Sequence, residues 1–85
     1  MKTITLNILS TEKELFYGEV SSVTLPGKLG LFTILPHHTP LLSSLVSGNI
    51  VYIKDNGEET SIPIKGGLVE FDETMIVAYI DQPEM

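Results

Sequence analysis

Between Gly18 and Gly67 of this 85-residue chain, no more than eight consecutive residues pass without a glycine or a proline. Proline fixes φ and lacks an amide donor, and glycine weakens a helix interior, so no helix of ordinary length fits that stretch. The residues between the breaks alternate apolar and polar with the period of a strand. Short strands joined by turns every ~8–12 residues indicate an all-β sandwich or barrel.

The alternation begins with Ile4, Leu6 and Ile8 on one face, and residues 10–14 break it with a polar turn. Thr11 and Glu14 have the spacing of a helix capping box, but the β-branched and aromatic residues that follow favour a strand. Residues 15–25 alternate through Leu15, Tyr17, Val23 and Leu25, with a bulge expected near Gly18. A short strand over 30–34 ends at the Leu35-Pro36 step, where the residue before proline is held extended. Residues 40–46 suit a strand or a helical turn, and their place among strands favours the strand.

Residues 49–54 and 58–65 flank Asp55-Asn56-Gly57, a strong hairpin signal, and Pro63 implies that the second of these strands lies at an edge or points its missing donor outward. Gly66-Gly67 reads as a tight connection, and 68–71 with 74–80 as a last hairpin around Asp72-Glu73. The expectation is therefore one all-β domain, a sandwich or barrel of short strands paired through hairpins. Residues 81–85 are expected to form a frayed polar tail.

Charge excludes several functions. Five lysines, no arginine and eleven acids give a net charge of −6, which disfavours nucleic acid and direct docking on anionic lipid. With no cysteine there is neither a disulfide framework nor a zinc–thiolate site. No 18-residue apolar span and no signal-peptide core occur, so membrane association is expected only through another protein.

Residues 26–42 are the part of the chain that most invites a function, since three prolines and two glycines punctuate an apolar run holding both histidines. Side chains of neighbouring residues in an extended segment point to opposite faces, so His37 and His38 can hardly share one metal ion. The serines lack a nucleophile elbow. The glycines at 27, 30, 66 and 67 lack a following helix N-terminus to hold a phosphate. Glu58-Glu59 and Asp72-Glu73 sit at hairpin tips, without the burial that tunes catalytic carboxylates. What remains is a non-catalytic binding or structural module, with no metal, cofactor or small-molecule substrate expected.

Several segments resemble the N-terminal β-sandwich domain of the ε subunit of F-type ATP synthases. They are Ile8-Leu9-Ser10 with Glu12, Phe16-Tyr17-Gly18-Glu19-Val20, and Val23-Thr24-Leu25-Pro26-Gly27. Next come Gly30-Leu31-Phe32-Thr33-Ile34-Leu35-Pro36-x-His38-x-Pro40-Leu41-Leu42, then Leu45-x-x-Gly48-x-Ile50 and Gly66-Gly67-Leu68-Val69-Glu70. The likeness closes on Ile76-Val77 through Ile80 and runs over about residues 4–80.

The resemblance implies a flattened antiparallel β-sandwich or barrel of about ten short strands over residues 4–80, in a central-stalk (rotor) subunit that joins the γ subunit to the polar loops of the membrane c-ring. Such a subunit helps to couple proton or sodium flow to ATP synthesis, on the cytoplasmic face of the bacterial inner membrane. Ser10, His38 and Ser43 correspond to γ contacts, and Lys28, Leu29, Gly30, Leu31 and Phe32 to the loop meeting the c-ring. Leu31 stands where some relatives carry an acid, which argues against a charge-based contact at that position. His37 stands where the family often has glycine, so a different backbone is expected there. Typical ε subunits continue into two C-terminal helices, and a chain ending at Met85 is expected to supply neither helix-mediated inhibition nor ATP sensing. The alternative is an unrelated small β-sandwich protein-binding module.

Overall fold

The structure, a computed structural model, describes residues 2–83, so the tail positions 84 and 85 lie outside the described residues. Eight strands follow in order: β1 (Ile4–Leu9), β2 (Glu14–Gly27), β3 (Gly30–Ile34), β4 (Leu41–Leu45), β5 (Gly48–Lys54), β6 (Glu59–Ile64), β7 (Gly66–Phe71) and β8 (Met75–Asp81). The all-β reading holds, and the strand count is eight and not the about ten that the resemblance implies, one strand for each segment that the alternation marks. All eight belong to one sheet, ordered β1-β8-β7-β4-β2-β5-β6 with β3 on β2, and β1 also pairs with β2. The sheet thus turns back on itself around a single core.

The pairing is not wholly antiparallel, as expected from the turns, because β1 and β8 run parallel, from Thr5 opposite Met75 to Leu9 opposite Tyr79. No hairpin joins these two, so their parallel register is a product of closure and not of a local turn. Every strand sends at least one side chain into the same buried cluster. β1 contributes Ile4, Leu6 and Ile8, and β8 contributes Ile76, Ala78 and Ile80.

Two bulges shape β2, and neither lies at Gly18, which pairs regularly with Leu6. One sets Leu15 between Phe16, opposite Ile8, and Glu14, opposite Leu9. The other sets Ser21 between Val20, opposite Lys54, and Ser22, opposite Ile53. An extra residue turns every later side chain over. Even positions 16 and 20 therefore face inward before Ser21, and odd positions 23 and 25 after it. Tyr17, read as inward-facing from the alternation, is instead 57% exposed. The Ser21 hydroxyl donates to the Ile53 carbonyl at 3.2 Å, giving that oxygen a partner beside the irregularity.

Among the described residues β6 has β5 as its only ladder partner and carries Pro63 opposite Asn49, an edge position suited to a residue without an amide donor. The β5–β6 hairpin closes with Gly57 donating to Lys54 O at 2.9 Å, Gly57 itself at φ +91°. Gly66 and Gly67 are not a loop but the first residues of β7, with Lys65 alone making the bend before them. β8 runs through Asp81, whose carbonyl accepts from Lys65 N at 2.7 Å, so this residue is ladder and not tail.

Gly67 is where the sheet is tightest. A Cβ there would lie 2.2 Å from the Tyr79 carbonyl oxygen, a backbone atom that cannot move without breaking the β7–β8 register. Gly67→Ala should lower unfolding stability by about 2–4 kcal/mol, measured by urea denaturation. Gly30→Ala, with nothing within 4 Å of its Cβ but a φ of +125°, should cost less, about 1 kcal/mol.

Candidate protein-interaction surfaces

The outward side of β4, β7, β8 and β1 carries apolar residues in two cross-strand rows. One row runs Leu42, Glu70, Val77, Asn7, Tyr17, and the next Ser44, Leu68, Tyr79, Leu9. Leu42 is 68% exposed and Tyr79 47%. Isolated exposed leucines are ordinary, but a contiguous set on one sheet face is the mark of an association surface. Asn7 stands in the first row between Val77 and Tyr17, its Oδ1 shielded from solvent and without a hydrogen-bond partner among the described residues. None of these residues was expected as a contact, yet the chain signals them: Ile8-Leu9, Leu41-Leu42, Leu68-Val69 and Tyr79-Ile80 place apolar side chains on both faces.

A second apolar surface forms at the end of the molecule. β2 and β4 share a single bridge, Gly27 opposite Leu45. Beyond it the chain turns away through Lys28 and Leu29 into β3, and the two segments part. The opening is a groove of about 670 Å³ between residues 27–32 and residues 42–44. Leu29 is fully exposed and Leu31 74% exposed, while Phe32 packs against the core and blocks any Cβ at Gly27, its ring atoms 2.9 Å from that position. Lys28, Leu29, Gly30, Leu31 and Phe32 therefore do share one surface, and Ser43 lies on it too.

His37 and His38 belong to a turn. His38 N donates to Leu35 O at 3.0 Å, with Pro36 and His37 between them and His37 at φ +73°. Proline second and a left-handed residue third are the features of a type II turn. His37 thus adopts, at some strain, the conformation that glycine takes freely. His38 packs its ring on Phe71, centroids 6.4 Å apart, and its Nδ1 lies 2.7 Å from the Thr39 carbonyl, where it carries the proton. The turn borders a polar groove of about 350 Å³ shared with Thr3, Thr5 and Glu19. Thr3 and Thr5 each donate a hydroxyl to Glu19 at 2.6 Å, and these bonds hold its carboxyl below the usual range. Among the described residues no three His, Asp or Glu side chains gather as a metal site would need.

Ser10 closes its own turn. Its hydroxyl accepts from the amides of Glu12 and Lys13, both at 3.3 Å, and donates to Lys13 O at 3.2 Å. Ser43 shares the inward parity of its partner Val69 and donates to Ser44 O at 3.1 Å. Ser10, His38 and Ser43 border three different grooves and do not form one pocket. Ser10 and Ser43 are nevertheless chain neighbours of Leu9 and Ser44, the two ends of the second apolar row.

A compact β fold whose features are an apolar sheet face and an apolar end groove is that of a protein-interaction module. The family model for the ATP synthase delta/epsilon chain β-sandwich domain matches residues 3–83, and the chain belongs to that family. This removes the alternative of an unrelated module, and the family is one of non-catalytic subunits. The chain is 40% identical over 81 residues to the ATP synthase epsilon chain of Xanthomonas oryzae pv. oryzae strain PXO99A, covering 95% of this chain and 58% of the relative. For the ATP synthase epsilon chain of Bordetella petrii the identity is 37%, covering 95% and 57%. The chain therefore spans less than two thirds of the length of these relatives.

Among solved structures, a chain of the Euglena gracilis mitochondrial ATP synthase (OSCP/F1/c-ring) aligns with a TM-score of 0.86 at 18% identity. The alignment covers 92% of this chain and 50% of that one. A chain of the Tetrahymena thermophila mitochondrial ATP synthase central stalk/c-ring aligns at 0.76 and 12% identity, covering 95% and 65%. At these identities the shared property is the fold.

Two predictions follow from the turn geometry and the carboxylates. His37→Gly should raise stability by about 0.5 kcal/mol and His37→Val lower it by about 1–2 kcal/mol, read from chemical denaturation. Asp72 accepts from Thr74 N, Thr74 Oγ1 and Met75 N, and the Thr74 bonds, with that of Met75, depress its pKa as the threonines depress that of Glu19. Groups depressed in the folded state stabilise it fully above the ordinary carboxylate pKa of about 4 and lose that contribution as pH falls through the folded values. The double variant Glu19→Gln/Asp72→Asn should therefore show a shallower drop in melting temperature between about pH 5 and pH 2. An unchanged profile would show that neither carboxylate contributes.

Proposed function

We infer that this chain is the rotor foot of an F-type ATP synthase, binding the γ subunit through its apolar sheet face and the c-ring through its hairpin end. The observation that carries the reading is the double-sided apolar character of β1, β4, β7 and β8 in a member of the delta/epsilon family. A chain with net charge −6 that leaves Leu42, Leu68 and Tyr79 outward has a surface suited to a large protein partner. Ser10, His38 and Ser43 act as rim contacts to γ, while Lys28, Leu29, Gly30, Leu31 and Phe32 meet the c-ring.

In this role the chain performs no bond chemistry. It transmits torque as a rigid body, turning with γ and the ring, and so helps couple proton or sodium flow to ATP synthesis. Its place is the cytoplasmic face of the bacterial inner membrane, held there by the complex and not by lipid insertion.

Calorimetric titration with the γ subunit tests the γ contact. Leu68→Asp and Tyr79→Ser should each weaken the complex at least ~10-fold, as loss of central apolar anchors does, with unchanged melting temperature. His38→Glu and Ser43→Trp should weaken it less, as expected of a rim. No heat of binding from a correctly folded sample would sink the assignment.

A further inference from the structure

Asn56-Gly57 closes a hairpin, and it is also the dipeptide at which an asparagine side chain reacts most readily with its own backbone. The next residue's side chain normally shields the main-chain nitrogen from the asparagine amide, and glycine has none. The chain holds three asparagines, and the other two, Asn7 and Asn49, precede isoleucine. Those two lie within β1 and β5, whereas Asn56 and Gly57 are both exposed at the β5–β6 turn.

The closed turn holds the reacting groups apart. Gly57 N donates to Lys54 O at 2.9 Å and Lys54 N to Glu58 O at 2.8 Å, so Asp55 and Asn56 are the central turn residues. Neither has a positive φ, and Gly57 follows at φ +91°, the pattern of a type I turn closed by a glycine bulge. The third residue of such a turn has ψ near 0°, which sets the Gly57 nitrogen about 120° from Cβ of Asn56 around the Cα–C bond. Ring closure through Cγ needs the two nearly eclipsed. Oδ1 of Asn56 is meanwhile held by Glu58 N at 2.9 Å. Two hydrogen bonds and one backbone rotation therefore separate the native turn from a reactive one. All three lie at the tip of a strand, β6, with no ladder partner but β5 among the described residues. The remaining tie is Lys54, whose Nζ lies 3.3 Å from the Glu58 carboxylate and 5.9 Å from the Phe16 ring centroid. An exposed pair of this kind holds weakly, and an edge hairpin opens locally without global unfolding.

We propose that Asn56 is a self-modification site whose conversion to isoaspartate is gated by opening of the β5–β6 turn. Once hydroxide has taken its proton, the Gly57 nitrogen bonds to Cγ of Asn56. The bond from Cγ to the side-chain nitrogen breaks, and that nitrogen leaves as ammonia. Water then opens the five-membered imide at one of its two carbonyls. Opening at Cγ gives aspartate, and opening at the former backbone carbonyl leaves the chain running through Cγ as isoaspartate. One water is consumed, one ammonia is released and one negative charge is added, with no oxidant and no metal. The new charge joins Asp55, Glu58 and Glu59, with Lys54 the one cation beside them in sequence. Isoaspartate also lengthens the loop by one methylene, which a three-residue loop closed by the Lys54 bonds does not accommodate. The modified turn stays open, so the modification accumulates with the time the tip spends open.

The test incubates the chain at neutral pH beside a synthetic peptide of residues 50–62, since an isolated hairpin is marginal in water. Peptide mapping by mass spectrometry follows conversion at each asparagine, with fragmentation that separates isoaspartate from aspartate. Conversion at Asn56 should be at least ~10-fold slower in the folded chain than in the peptide, and should reach the peptide's rate in unfolding urea. Isoaspartate should be the larger product, and Asn7 and Asn49 should stay unchanged over the same time. Equal rates in folded chain and peptide, or a product without isoaspartate, overturns the proposal. The converted fraction, separated by ion exchange, should melt about 4–8 °C lower than the unaltered chain. Asn56→Asp, which adds the charge without lengthening the loop, should melt as the unaltered chain does. A converted fraction as stable as Asn56→Asp overturns the claim that the modified turn stays open.

Discussion

The change of inward face at Ser21 holds this fold together. β2 is 14 residues long and serves two sets of neighbours: β1 along its first half, and β3, β5 and the end of β4 along its second. A strand with unbroken period 2 that buried Phe16 and Val20 would send Val23 and Leu25 to solvent. One extra residue reverses the parity, and both Val20 and Val23 end with no exposed surface. The location of Gly27, hence the bridge to Leu45 and the opening of the end groove, is a consequence of that single insertion.

Most strands were legible because their alternation is local, and Asn56-Gly57 and Pro63 carry unambiguous backbone chemistry. The bulges were not, since an extra residue changes register without changing composition. Gly18 drew attention as a bulge site for a reason that proves different: the Phe16 ring crosses over it, Cζ lying 3.0 Å from where a Cβ would stand. Gly66-Gly67 looked like a connection because two glycines weaken a strand. In fact Gly67 is glycine because the β8 backbone lies against it. The parallel β1–β8 pair joins the two ends of the chain, and no periodicity can reveal a contact between segments so far apart in sequence.

The surfaces were legible in a similar, uneven way. Residues 28–32 do present one apolar end, within the glycine- and proline-punctuated apolar run of residues 26–42. The histidines were conspicuous by rarity, yet His37 and His38 are explained by a type II turn and by packing on Phe71. The broad face was missed because each of its residues is an ordinary strand residue. Only the pairing of neighbouring apolar positions, as in Leu41-Leu42 and Tyr79-Ile80, tells of two covered sides.

Exposed apolar area on a β protein normally risks edge-to-edge aggregation, and the placement of it here limits that risk. β1 and β8, the chain-terminal strands, cover one another's edges by pairing, and the β6 edge carries Pro63 and Glu59. The unpaired side of β4 follows directly on Pro40 and is faced across the groove by the hairpin end. Leu68 and Tyr79 stand on a sheet face, where a partner must dock by side-chain packing and not by adding a strand. Leu29 stands at a two-residue turn, which has no ladder to extend. Such a molecule associates through shape and apolar contact at two separate places while its open edges are short or proline-bearing, which suits a rigid link between two larger bodies.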